Sequence, residues 1–271
     1  MKHLFLALCL WLPLAGRAAE PLQPLQIAEQ FVAPAGWPLM RGYLCCETAG
    51  QARDQTLGQQ LPARVRRSCQ LVQQGAATAV VAVELRDSVG RRDFYLHFRK
   101  EADAWKLGAV RNLAMTHLGP PMLGILTAMP PAEVALYNQR HPAASHAFTV
   151  GNLRLWTGPD ADIATHFGRH RAAFAEAARL ARAGSTPALA ADTSRTTNPA
   201  LAALLRRLFV TRVGGHDTGT ATGLEFLIGG MTGNTVGLLF EPDPAALPAM
   251  SPDRLIVLRA LGQGWYLYKT T

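Results

Sequence analysis

Asp162, His166 and His170 stand four residues apart in a segment whose apolar residues recur at helical spacing, so their side chains fall along one strip of a helix. Two imidazoles at i and i+4 can share a divalent metal, and Asp162 one turn earlier extends the donor set. A closed site needs further ligands from elsewhere in the chain, for which His216-Asp217 is the visible supplement. The same helix has a plainer reading. Its apolar stripe runs through Ile163, Phe167, Phe174 and Ala181, which puts His170 within the stripe and His166 on its flank, as partly buried histidines of a packed helix.

Other candidates carry less chemistry. Gly214-Gly215-His216-Asp217-Thr218-Gly219 and Gly229-Gly230-Met231-Thr232-Gly233 lack the Gly-Lys-Ser/Thr ending of a phosphate loop and the dinucleotide fingerprint, and they read as hairpin turns. Ser194, His216 and Asp217 lack the Gly-x-Ser-x-Gly elbow of a hydrolase nucleophile, so no catalytic residue is named. Beyond Cys9 the cysteines are Cys45, Cys46 and Cys69, with no Cys-x-x-Cys. In an oxidising compartment a bond from Cys46 to Cys69, or from Cys45 in its place, ties an early helical segment to the first strand and leaves one thiol over.

Two units have to position these residues. The first carries a helical pattern from Leu22, broken at Pro34-Ala35-Gly36, and a strand over Ala63 to Gln73. A meander from Thr78 to Val110 follows, in which Ala79, Val81, Val83 and Leu85, then Phe94, Leu96 and Phe98, then Trp105 and Leu107 alternate. Residues 114–146 form a connector with a helix started by Pro130-Pro131. The second unit, 147–271, opens on an irregular strand through Phe148, Val150, Leu153, Leu155 and Trp156. It continues with the long helix to about Arg182, a short helix from Pro199 to Arg207, and strands near 208–213, 224–228, 235–240, 254–261 and 265–269.

Residues 1–18 have a basic start, an apolar run from Leu4 to Leu14 and small residues at Gly16 and Ala18, the pattern of a cleaved secretory signal. Losing Lys2 and Arg17, and no acid, takes the formal charge from +8 to +6. A periplasmic or secreted protein with a basic surface suits an anionic envelope surface. No basic stripe with interleaved aromatics marks nucleic-acid binding.

A helix, a small-residue break, a second helix and four strands ending in Trp105-Lys106-Leu107 resemble the nuclear transport factor 2-like superfamily. The carriers are Ala28-Glu29-Gln30-Phe31, the run Ala79 to Leu85 and Phe94-Tyr95-Leu96-His97-Phe98, and they cover residues 19–113. The resemblance implies an α+β fold, a helix-covered and cone-like curved antiparallel sheet followed by a second small α+β domain. It also implies a cone interior lined by Phe94, Leu96, Phe98 and Trp105 as a seat for a small apolar ligand or a protein. No carboxylate or histidine alternates onto that face, so the proton-transfer members are poor guides. The expectation is therefore a non-catalytic binding or accessory protein of the bacterial envelope, without a cofactor unless the histidine strip holds a divalent metal. The alternatives are an enzyme with its site between the two units and, from the same resemblance, a toxin-immunity protein.

Overall fold

A computed structural model describes residues 21–51, 53–88, 90–113, 116–183, 198–215, 223–231 and 233–271. The leader pattern, Cys9, Ser194, His216 and Asp217 lie outside the described residues. Among those residues, no helix is long and apolar enough to cross a membrane.

The first unit begins with helix α1 (Pro24–Val32), started by Pro24 at its first position and by a capping box between Gln23 and Gln26. Short helices α2 (Cys46–Gln51) and α3 (Leu57–Gln60) follow. Strands β1 (Arg66–Gln74), β2 (Thr78–Arg86), β3 (Arg91–Glu101) and β4 (Ala104–Arg111) then pair antiparallel in chain order. On one face Ala79, Val81, Val83, Phe94, Leu96, Phe98, Trp105 and Leu107 pack against Ile27, Ala28 and Val32 of α1. The opposite face is covered as well, because Val80, Ala82 and Tyr95 pack against Ile256 and Val257 of the second unit. That is why β2 is apolar at every position from Ala79 to Val83, the pattern of a strand buried on both faces.

This arrangement corrects the expected cone and the resemblance that suggested it. The sheet is an open four-stranded meander, neither curved into a cone nor closed, and it lies beside a second open sheet of five strands. Strand alternation fixes which residues share a face, while curvature depends on what packs on each face. Here both faces are covered, and Phe94, Leu96, Phe98 and Trp105 are core.

The second half is reached through α4 (Gly119–Thr127) and α5 (Pro131–Arg140). The segment expected as an irregular strand is helix α6 (His146–Trp156), capped by Ser145, whose hydroxyl accepts from the Phe148 N–H. Helices α7 (Asp160–Ala183) and α8 (Pro199–Arg207) follow, the latter capped by Asn198. Strands β5 (Arg212–Gly215), β6 (Leu224–Met231), β7 (Asn234–Phe240), β8 (Leu255–Gly262) and β9 (Trp265–Thr270) form a sheet in the order β5-β6-β7-β9-β8. Its core joins Ile163, Phe167, Phe174 and Ala181 of α7 to Phe226, Leu238, Trp265 and Leu267, so the apolar stripe of the long helix faces the sheet.

A buried polar knot joins the two halves at the first residue of α7. The Asp160 carboxylate is 1% exposed, lies 2.8 Å from Lys269 Nζ and 3.3 Å from Arg259 Nη1, and accepts from the Tyr95 hydroxyl at 2.8 Å. Its backbone N–H donates to Asp93 Oδ2 at 2.6 Å. Burial alone would raise the Asp160 pKa, but Lys269, Tyr95 and Arg259 reverse that and hold it below the usual range. Asp93 has no such surplus of partners, so burial and then the Asp160 charge push it up to about 6.

Candidate functional site

Between α6 and α7 runs a groove of about 710 Å3. Ala147, Val150, Gly151 and Arg154 come from one face of α6, spaced three and four residues apart. Asp162, Thr165, His166, Arg169 and His170 come from the facing side of α7. Thr127 at the end of α4, His146, Leu155 and Phe209 complete the lining.

Phe209 sits there because three local features oblige it to. Its backbone is left-handed at φ 57°, an uncommon setting for a bulky residue. The Asn152 amide donates to the carbonyls of Phe209, at 2.7 Å, and Ile228, pinning the turn after α8 onto α6 and β6. Gly151 leaves room for the ring, since a Cβ at that position would stand 2.3 Å from it. The ring then closes the apolar floor and lies 5.7 Å from the His166 ring, centroid to centroid.

The three residues of the histidine strip share this groove, and among the described residues they do not form a group of three donor atoms within 4.8 Å of one another. Asp162 is ion-paired with Arg91 of β3. His166 donates its Nε2–H to the Leu208 carbonyl at 3.1 Å, and His146 donates its Nε2–H to the Leu126 carbonyl at 2.8 Å. His166 and His170 rings lie 4.7 Å apart, and α7 departs from helical geometry at His170, with φ −114° and ψ 15°. Burial, reinforced by His170 and Arg169 and opposed by the Leu208 carbonyl, holds His166 below the ordinary histidine range, so it stays neutral at neutral pH. Among the described residues, the grouping of three donors within 4.8 Å of one another is instead Cys45, Cys46 and Glu101.

Arg154 and Arg169 set the electrostatics of the groove. Both are exposed at its rim, and neither has an acidic partner among the described residues. With Asp162 neutralised by Arg91, the groove is lined by these two arginines together with Ala147, Val150, Leu155 and Phe209. Such a pairing of forked donors with apolar walls suits an organic anion.

The other expected site residues lie elsewhere. Phe94, Leu96, Phe98 and Trp105 line neither this groove nor two smaller cavities, one of about 250 Å3 beside Met40 and Leu57 and one of about 360 Å3 beside Arg171 and Trp265. Cys46 and Cys69 are free thiols. Cys69 is on β1, whereas Cys46 follows Leu44, which bridges to Leu107 on β4 at the other side of the sheet, so about four strand spacings of roughly 4.8 Å separate Leu44 from β1, too far for a bridge. Burial pushes the Cys69 thiol up to about 11 and that of Cys45, with help from Cys46, up to about 12.

His146, Arg154, Arg169 and Phe209 are among the groove residues that sequence reading missed. His146 and Arg154 become neighbours on one face only when residues 146–156 are read as a helix, for which Ser145 as cap was the available signal. Phe209 had no local signal, since its place depends on Asn152 and Gly151. The chain matches no protein-family model, no curated protein and no solved structure.

Proposed function

We propose that this is a non-catalytic binding protein of the bacterial envelope, secreted or periplasmic, whose ligand seat is the groove between α6 and α7. The ligand is a small organic acid with an apolar body. The observation that carries this reading is the pair of rim guanidiniums, Arg154 and Arg169, over an apolar floor closed by Phe209. A carboxylate or phosphate docks on the two forks, and the body of the ligand displaces water from Val150, Leu155 and Phe209. His166, neutral and engaged with Leu208, shapes the wall and offers no proton at neutral pH.

Thermal-shift screening of the purified protein against aliphatic and aromatic carboxylates, phosphate monoesters and matched neutral amides tests the reading. The acids raise the melting temperature and the amides do not. Equal stabilisation by acid and amide, or none by either, would reject an anion seat. Turnover of any of these compounds would replace binding by catalysis.

A further inference from the structure

Cys45 and Cys46 adjoin at the start of α2, and their sulfurs lie 2.9 Å apart, with the Cys46 thiol donating to the Cys45 sulfur. Consecutive residues in extended backbone send their side chains to opposite sides. Here Cys46 has a left-handed φ of 54°, costly for any residue but glycine, and the sulfurs meet on one side. The turn is held in place from β4, because the Cys45 N–H donates to the Leu107 carbonyl at 2.9 Å and the Thr48 hydroxyl donates to the same oxygen.

Glu101, at the end of β3, brings a carboxylate to the same point, so that all three ligand atoms lie within 4.8 Å of one another. Arg99, two residues earlier on the same face of the strand, reaches both exposed members: its Nη1 lies 3.5 Å from Cys46 Sγ and its Nε 3.6 Å from Glu101 Oε1. On β4, Gly108 leaves the flank of the pair open, since a Cβ there would stand 3.7 Å from one sulfur and 3.8 Å from the other.

We infer that Cys45, Cys46 and Glu101 form a binding site for a thiophilic divalent cation of the zinc class, with a fourth position open to solvent. Two sulfurs and one carboxylate select such an ion over magnesium or calcium, which prefer all-oxygen shells. Charge balances: two thiolates and a carboxylate are met by the divalent ion and the Arg99 guanidinium. Arg99 is the positioning residue, orienting Cys46 and Glu101 without touching the metal. Zinc–sulfur bonds of about 2.3 Å set tetrahedral sulfurs about 3.8 Å apart, so the exposed Cys46 side chain swings outward as the ion enters. Each thiol exchanges its S–H bond for a sulfur–metal bond and gives its proton to solvent, with no change of oxidation state. The site is distinct from the groove between α6 and α7, so either proposal can fail alone.

The purified protein, reduced and freed of metal, is titrated with Zn2+ and with Cd2+, the latter followed by its ultraviolet thiolate-to-metal charge-transfer band. One equivalent binds, and Cys69→Ser leaves this unchanged. Cys45→Ser or Cys46→Ser abolishes stoichiometric binding, while Arg99→Gln weakens it by about 10- to 100-fold at an unchanged melting temperature of the metal-free protein. Gly108→Val, which keeps every donor and fills the open flank, also weakens it. Absence of binding to the wild type, survival of binding in a Cys45→Ser/Cys46→Ser variant, or equal loss in Cys69→Ser would overturn the assignment.

Discussion

Replacing Asp160 by Asn tests whether the polar knot couples the two sheets. The carboxylate is 1% exposed and 2.8 Å from Lys269 Nζ, whose side chain is itself 5% exposed, so the substitution strands a buried cation. Breaking a buried pair from one side costs roughly 3–5 kcal/mol. The lower end applies here, because Asp93 also feels the Lys269 charge and ionises more readily once the neighbouring Asp160 charge has gone. At roughly 2–4 °C per kcal/mol for a chain of this size, the melting temperature falls by about 6–12 °C. Hydrogen exchange resolves where the loss occurs. Amides of β3 and β9 lose protection together and by similar amounts, since Tyr95 on β3 and Lys269 on β9 share the lost acceptor. An Asp160→Asn/Lys269→Met variant removes both charges and recovers most of the stability. A loss below about 1 kcal/mol, or one confined to a single sheet, would refute the knot as the coupling element.

Further expectations concern pH and the groove floor. Buried His97, whose Nε2 has no partner among the described residues, is held at about 4, first by burial and then by Arg111. With its folded pKa below its unfolded one, it contributes stability that is complete above about pH 6.5 and is lost as pH falls toward 4, a difference of about 3 kcal/mol. Asp93, raised to about 6, acts oppositely: its contribution is complete below about pH 3.8 and is lost as pH rises through 6. Urea midpoints between pH 4 and 6.5 should therefore rise with pH in Asp93→Asn and fall with pH in His97→Asn. Slopes of the same sign in both variants would count against these assignments. Gly151→Ala puts a methyl group 2.3 Å from the Phe209 ring and, despite the better helix propensity of Ala, destabilises by about 1–3 kcal/mol while displacing the groove floor; thermal melts with and without ligand check both effects.

Much of the fold was legible where period and neighbours agreed. The alternation from Thr78 to Val110 placed Val81, Leu96, Phe98 and Leu107 on one buried face, and the 3.6-residue stripe of α7 placed Ile163, Phe167 and Phe174 against a core. The cone was misread because a meander preceded by helices fits many sheets. What decides between them is the contact of Val80, Ala82 and Tyr95 with Ile256 and Val257, more than 150 residues away in sequence. Residues 146–156 were misread because Phe148, Val150 and Trp156 favour strands and Gly151 weakens a helix, while its reason for being there lies on Phe209. For the groove, the spacing of Asp162, His166 and His170 was visible and their shared strip is real. The partners that redirect each of them, Arg91 and Leu208 among them, come from other elements.

Calorimetric titration of the tightest-binding acid from the screen, comparing wild type with Arg154→Gln, Arg169→Gln and the double variant, tests the anion seat most directly. Loss of a hydrogen bond to a charged group costs about 1.5–3 kcal/mol, so each single variant should weaken binding by at least about tenfold and the double variant further. Undiminished affinity in the double variant would contradict the assignment of this groove.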